Sequence, residues 1–528
     1  MRYALLALLT LALSGCSLII SDTECEADAD CPTGTCTADG LCDVGASSGC
    51  ADDSQCAADE MCDEGACAPL IEGMSCERMG SDAEDALVLG FIMTFSGPDK
   101  EGGVSQRQVV ELALDEINNS GGVSGKQQRP LAFMACDDKA DAEHAKAALR
   151  YFSRAGIPAT LGPGFSSVLE EGAVEVGIPE GIFMLSPSST AASIRDLNDD
   201  DLVWRVSSSD TGQTNTLAYF ALWLAFEVAY AEADDPMEEI TILAVHTLDN
   251  YGGDFRQGFE QSLQASAGVL LSSEDFEVEF LAEGYDNAPE SETWDADVAA
   301  LVTKIADSSP DILLFVGYDS TADILAQVKD IPELANVPLL LTDGTLSQKL
   351  ATTYRTAGEM PEHVFGVQPG IRDGKAYEHF RTQHGLLGTG DPVPPNWTEF
   401  TYDAVYLLTY AAASMAPDEL TGAGFAQAFK RFDDEDGTRL LVGPSQLIVA
   451  CDTMADGANL DVLGASGALD FDPSTGEPRT VGILRWTLDA PESEDSTEVG
   501  TIEECGPAEL YEGGVKTTIY LCNALCMT

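Results

Sequence analysis

Positive charge is what this sequence has least of. Across 528 residues, 26 lysines and arginines face 90 aspartates and glutamates, a formal net charge of −64 at pH 7. Such a chain cannot neutralise phosphates, which excludes nucleic acid as a partner. Its surface stays soluble and self-repelling, and adaptation to a salty habitat is the plain reading. Histidine is scarce too, with five in the chain, and none stands beside a nucleophile signature. "GPGFSSV" is not G-x-S-x-G, and "FSGPDKEGG" lacks G-x-G-x-x-G. An enzyme is not expected, nor any cofactor or metal.

Long apolar runs are also missing. The opening "MRYALLALLTLALSGC" has one basic residue, Arg2, and an apolar stretch from Tyr3 to Leu13, too short to span a bilayer. Leu13-Ser14-Gly15-Cys16 resembles a bacterial lipobox. The expectation is a signal at 1–15, cleavage before Cys16 and a diacylglycerol on its thiol. A plain secretory signal is the alternative. Ser17 follows rather than aspartate, which points an anchored protein of a Gram-negative host to the outer membrane. The apolar segment 216–231 contains Glu227 and reads as a packed helix.

Cysteine, by contrast, is abundant, with 15 residues. Cys25, Cys31, Cys36 and Cys42 form one set; Cys50, Cys56, Cys62 and Cys67 form another. The first two of each set recur at an offset of 25, so "CEADADCPTGTCTADGLC" and "CADDSQCAADEMCDEGAC" are a tandem repeat. Few aliphatic residues are present there to build a core, so disulfides hold it. Zinc is the competitor, but no C-x-x-C spacing occurs. The interleaved acids suggest calcium less than a solvated surface. Eight cysteines allow about 105 pairings, and the repeat favours two bridges within each set. Cys76, Cys136, Cys451, Cys505, Cys522 and Cys526 remain, an even count that fits three more bridges.

From Ala86 the texture changes to alternating strands and helices. "ALVLGFIMTF", "PLAFMACDD", "IPATLGP" and "IFMLSP" read as buried strands, with helical periodicity between them. The alternation restarts after "LVWRVSSSD" with "ITILAVH", "DILLFVGY" and "VPLLLTDGT". This is βαβ repetition, hence α/β: two doubly wound, parallel-sheet lobes. "HVFGVQPG", "TVGILRWT" and the helix "TEFTYDAVYLLTYAAASMA" complete one lobe or both.

In open parallel sheets, ligands bind beyond the carboxyl ends of the strands. After the first-unit strands stand Gly164, Ser166 and Ser167, then Ser188, Ser189 and Thr190. After the second-unit strands stand Tyr251, then Tyr318 with Asp319, then Asp343. Hydroxyls and helix N–H groups suit an anion, although serine and threonine also cap helices routinely. A lone acid suits a cation. One half offering anion donors and the other a carboxylate describes a zwitterion site closed between two lobes.

The stretch from about 86 to 490 resembles the branched-chain amino acid binding proteins, the solute-binding components of ABC importers. "FSGPDKEGG", "LALDEINNSGGVSG", "LGPGFSS", "GIFMLSPSST", "LDNYGGDF", "YDAVYLLTYAA" and "GASGALDFDPSTGE" carry the resemblance by their order and spacing. It implies the type I periplasmic-binding fold: two lobes joined by a three-segment hinge, preceded here by a small disulfide-rich module. The lobes are expected at 86–205 with 366–441 and at 206–363 with 443–490. The Cys-rich stalk is expected at 16–72, and 491–528 is a tail beyond the resemblance. Ser166 or Ser167, the backbone at Ser188, and Thr190 match positions that hold a ligand's α-carboxylate. Asp343 matches the acid that takes the α-ammonium, Tyr251 an aromatic that closes over the ligand, and Tyr318 matches less closely. The departures are Lys100 with no aromatic in the first loop, an aspartate in place of the usual glutamate, and Asp319 at an aromatic's place. They leave a polar or acidic ligand as open as leucine. The implied function is capture of an amino acid or small carboxylate by hinge closure, with an ABC permease as partner. A sensory or surface-recognition lipoprotein on the same fold is the alternative.

Overall fold

The computed structural model describes residues 55–489 except 64–65, 231–236, 272–275, 354–360, 362, 388–396, 433–436 and 480. It also describes strands at 35–36 and 42–43, and at 501–505, 508–512 and 515–519. Cys16, Cys25, Cys31 and Cys50 lie outside these residues, as do Cys522 and Cys526. The chain forms two compact units, Met1–Leu70 and Ile71–Thr528.

In the first unit the sequence repeat becomes a repeat of hairpins. Thr35–Cys36 pairs with Cys42–Asp43, with Cys36 opposite Cys42. Glu60–Asp63 pairs with Ala66–Pro69, with Cys62 opposite Cys67. Cys56 bridges to Cys67, inside the second set, and Cys62 is disulfide-bonded as well.

The second unit holds two sheets. The first runs Val203–Arg205, Phe183–Ser186, Ala159–Leu161, Leu87–Met93, Leu131–Asp137, Cys76–Gly80. All its pairings are parallel except the last. Cys76–Gly80 is an antiparallel edge strand that the sequence does not announce, being short, polar and buried at Met79 alone. A disulfide from Cys76 to Cys136 fastens it to its neighbour. The second sheet runs Glu277–Tyr285, Glu239–Thr247, Ile312–Val316, Leu339–Leu341, Val364–Pro369 in parallel, then Val481–Asp489 antiparallel. Thr501–Cys505 pairs with that last strand. The inner strands Ile312–Val316 and Leu339–Leu341 are continuous apolar runs, as a sheet covered on both faces requires, whereas the edge strand Glu277–Tyr285 alternates with exposed glutamates.

Both sheets reverse strand order beside their first strand. The switch point lies between Leu87–Met93 and Ala159–Leu161 in one, and between Glu239–Thr247 and Ile312–Val316 in the other. Crevices open at such points.

The lobe boundaries differ from expectation. The segment 377–471 packs into the core of the first sheet, including Leu447, Cys451, Met454 and Leu460. Only Val481–Asp489 returns to the second lobe, and Val364–Pro369 belongs to the second sheet. The reason is the helix Thr398–Ala413, every residue of which is buried. An all-round buried helix needs cover on each side, and the segment 447–471 supplies one side. Asp403 in this helix accepts hydrogen bonds from Ala465 N at 2.8 Å and Ser466 N at 2.7 Å. Cys451 is a free, buried thiol in this core. The expectation of three further bridges therefore fails: a helix interior leaves it no cysteine to meet.

The chain crosses between lobes at 206–210, at 370–373 and near 479–481. Gly370 N donates to Gly482 O at 2.9 Å, tying the second and third crossings together. Arg372 is paired with the fully buried Glu399 at 2.7 Å, which anchors the second.

Candidate functional site

The two switch points face each other across a cleft of about 820 Å³ counted out to its mouth. From the first lobe it is lined by Met93, Thr94, Asp99 and the first turns of the helix Lys100–Asn119, Gly164–Ser166, Ser188 and Thr190. From the second come Tyr251, Tyr318, Asp319, Asp343, Gly344 and Leu346. Six of the seven residues picked from the sequence thus line one cavity. Ser167 does not. One residue further round the helix Ser166–Gly172, it faces a neighbouring depression with Asp249 and Asn287.

The hydroxyls at the end of Phe183–Ser186 divide into two jobs. Ser186 Oγ donates to Pro163 O at 2.7 Å and Ser189 Oγ to Gly164 O at 2.9 Å. Both side chains are fully buried and fasten one strand-end loop to the next. Ser188 and Thr190, between and beyond them, reach the cleft. Ser166 Oγ accepts from Thr190 N at 3.1 Å and Ala191 N at 3.2 Å. Its own proton then has no acceptor among the described residues. Arg205, buried and paired with Glu477, donates to Ala191 O at 2.7 Å and holds the loop from below.

Asp343 follows the strand Leu339–Leu341 and is 3 % exposed. Tyr251 Oη lies 2.6 Å from its Oδ1 and 2.9 Å from Thr342 Oγ1. Burial pushes the carboxyl up to about 6, and the Tyr251 hydroxyl works against that rise. The Tyr251 and Tyr318 rings stack at 5.5 Å, and Tyr318 Oη donates to Asp249 Oδ2 at 2.5 Å. Gly344 allows a close backbone approach: a Cβ there would stand 2.4 Å from Gly317 O.

Two residues missed in the sequence complete the picture. Asp210, at the start of the helix Thr211–Ala229, reads as an ordinary N-cap, but its side chain caps nothing. It is buried, with Oδ1 accepting from Gln213 Nε2 at 2.9 Å and Oδ2 without a partner. Burial, then the nearby charge of Asp343, holds its carboxyl well above the usual range. Thr190's hydroxyl lies beside Asp210, and the Gln213 amide beside Asp343. The second is Trp397, in a left-handed conformation at φ 69°, which lines the cleft. It supplies the aromatic that the first loop lacks. Lys100 does not line the cleft, while Glu101, next to it in the first turn of the helix Lys100–Asn119, does.

The geometry defines a two-lobed protein that encloses a small solute, with hydroxyl donors on one lobe and buried acid on the other. Residues 86–458 match the family described as periplasmic binding protein. The chain belongs to that family: it is an extracytoplasmic solute-binding protein of the type I fold, not an enzyme. It is 23% identical over 344 residues to the Leu/Ile/Val-binding protein homolog 1 of Brucella abortus, covering 64% of this chain and 81% of that one. A Pseudomonas aeruginosa protein named for binding leucine, isoleucine, valine, threonine and alanine is 23% identical over 46% of this chain and 57% of its own length. Among solved structures, LivJ of Streptococcus pneumoniae with isoleucine superposes with a TM-score of 0.54 at 14% identity, over 79% of this chain and 99% of that one. A Rhodopseudomonas palustris protein holding 3,4-dihydroxybenzoic acid superposes at 0.53 and 12% identity, over 78% and 94%. The fold is shared across ligands of different chemistry.

Proposed function

We propose that the protein is a lipid-anchored receptor for an amino acid, which it captures by hinge closure and delivers to an ABC importer. The observation that carries this is the pairing of Ser166 and Thr190 on one wall with buried Asp343, backed by Asp210, on the other. A carboxylate suits the hydroxyls. Two buried acids, with Asp343 raising the proton affinity of Asp210 behind it, suit an ammonium. The relatives' names support an amino acid, and the Cys16 motif supports the anchor.

Calorimetry against the common amino acids, with the exported chain, tests the site. Asp343→Ala leaves a desolvated ammonium without its partner, which typically costs about 3–5 kcal/mol. Affinity then falls by roughly two to three orders of magnitude. Thr190→Ala removes one hydrogen bond to a charged group and costs about 1.5–3 kcal/mol. An Asp343→Ala protein that binds an amino acid as tightly as the parent removes the acid from the site. Intact mass of the native protein tests the anchor: a mature N-terminus other than acylated Cys16 overturns it. A sensory or surface-recognition role is favoured by the separate Cys-rich unit, which precedes the family match. Loss of amino acid uptake on deletion of the gene argues for transport.

A further inference from the structure

Asp210 stands at the first crossing between the lobes, is 2 % exposed and does not line the cleft. Thr190 does line it, and both its backbone groups are held: its N donates to Ser166 Oγ at 3.1 Å, and its O accepts from Asp210 N at 2.9 Å. The Thr190 hydroxyl is left to act, and it lies beside the Asp210 carboxyl. Gln213 Nε2 donates to Asp210 Oδ1 at 2.9 Å, while Oδ2 is buried with no hydrogen-bond partner. The same Gln213 side chain hydrogen-bonds Asp343 and favours its ionised form. One amide therefore reaches both acids.

A threonine hydroxyl has one proton to give. Beside an ionised Asp210 it gives that proton to the buried charge and turns lone pairs toward the ligand, which repels a carboxylate. Beside a protonated Asp210 it accepts, and its own proton is free. Two neighbouring buried acids resist ionising together, and the one with more donors gives up its proton first. Asp343 has the Tyr251 hydroxyl at 2.6 Å, Gln213 and the backbone N–H of Gly344. Asp210 has Gln213 and the Thr190 hydroxyl. Resting on the amino-acid reading above, we propose that Asp210 is a positioning residue. As the neutral acid it donates to Thr190 Oγ1, which turns the Thr190 proton onto the ligand's α-carboxylate and leaves Asp343 ionised for the ammonium.

The charges around Asp210 fit this. From the second lobe it faces Asp343, with Tyr251 beside that acid, and Asp254 on the helix Asn250–Leu270. Both carboxylates make its ionisation harder, after burial itself. Arg205 is the nearby cation, but its guanidinium is taken up by Glu477 and by the carbonyls of Ser189 and Ala191. The Gln213 bond occupies Oδ1, so the proton sits on Oδ2. Asparagine can keep the first contact with its own oxygen and put an N–H donor in the place of the second.

The test is calorimetry of the full exported chain with L-leucine, L-threonine and L-glutamate, between pH 6 and pH 8, using whichever binds the parent most tightly. Asp210→Asn should bind within about threefold of the parent and keep its pH profile, because an amide donates as the neutral acid does. Asp210→Ala should bind about tenfold more weakly. In a Thr190→Ala background that tenfold loss should disappear, since Asp210 acts through the hydroxyl. Should Asp210→Ala fail to fold, Asp210→Asn alone and with Thr190→Ala decide the question. Weakening by about a hundredfold in Asp210→Asn, or a changed pH profile, means that Asp210 works as an anion and overturns the proposal. A loss in Asp210→Ala that persists in full without the Thr190 hydroxyl means a purely structural role and overturns it too. Both outcomes leave the amino-acid reading intact. Failure of all three probes to bind the parent overturns that reading, and this one with it.

Discussion

Tyr251 is the residue through which the proposed ammonium site is tuned. Its hydroxyl supports the charged form of Asp343, whose carboxyl burial pushes up to about 6. Tyr251→Phe removes that support and raises Asp343 further. Amino acid affinity should drop by roughly tenfold near pH 7, the worth of a hydrogen bond to a charged group. The loss should be larger at pH 6 than at pH 8, since the unsupported carboxyl is protonated over more of that range. Calorimetry at both values checks it, and an equal loss at each would mean the hydroxyl acts only through packing. Tyr251 and Asp343 were both legible as candidates because each stands directly after a strand. Asp210 was not, because a helix-starting aspartate is usually a cap. Only the fold reveals that its free oxygen lies near Asp343.

Among the elements, the edge strand Cys76–Gly80 has the largest consequence for where the domain begins. It pairs with Leu131–Asp137 and is fixed by the Cys76–Cys136 bridge, which closes a loop with a sequence separation of 60. Loop-closure entropy for such a span is worth roughly 4 kcal/mol. A protein starting at Ile71 should therefore melt with the full-length chain's lobes and keep its affinity. One starting at Glu84 loses the strand and strands Cys136, and should melt several degrees lower. Cys76→Ser with Cys136→Ser in the longer form should reproduce most of the drop. Matching melting curves for the two starts would show that the strand contributes nothing. The composition change at Ala86 marks where the parallel sheet starts in sequence, and it misses the polar strand added in front.

For the whole molecule, charge decides the pH dependence. Burial raises Asp138 and Asp343 to about 6, and Asp319 and Asp403 to about 7, from an ordinary 3.8. The folded chain thus holds more protons than the unfolded one between about pH 4 and 7, so stability falls as pH rises through that window. Self-repulsion from a net charge of −64 acts in the same direction. The melting temperature should be higher at pH 5 than at pH 7.5. Added salt should narrow the gap by screening the surface, and a bound amino acid should narrow it by placing an ammonium beside Asp343. Scanning calorimetry measures all three, and a melting temperature that climbs with pH would contradict the account.

By itself the sequence determined the local and the additive properties. Short apolar runs and a 3.6-residue periodicity are written in neighbouring positions, so the two α/β lobes and their order were readable. So were the Cys repeat, the acidity and the strand ends that bear Ser166, Thr190, Tyr251 and Asp343. What only the tertiary structure decided depends on contacts between residues far apart in the chain. The helix Thr398–Ala413 is apolar on every side, and its pattern does not say what will cover it. The answer, the segment 447–471, moved that part of the chain from one lobe to the other and left Cys451 as a thiol. Likewise, Asp319 stands out in sequence only as a strand-end residue, and nothing there links it to Asp99 and Glu101, which lie far before it in the chain. Closing one lobe against the other sets them around a single cavity, because hinge crossings at 206–210, 370–373 and near 479–481 bring the carboxyl ends of both sheets face to face.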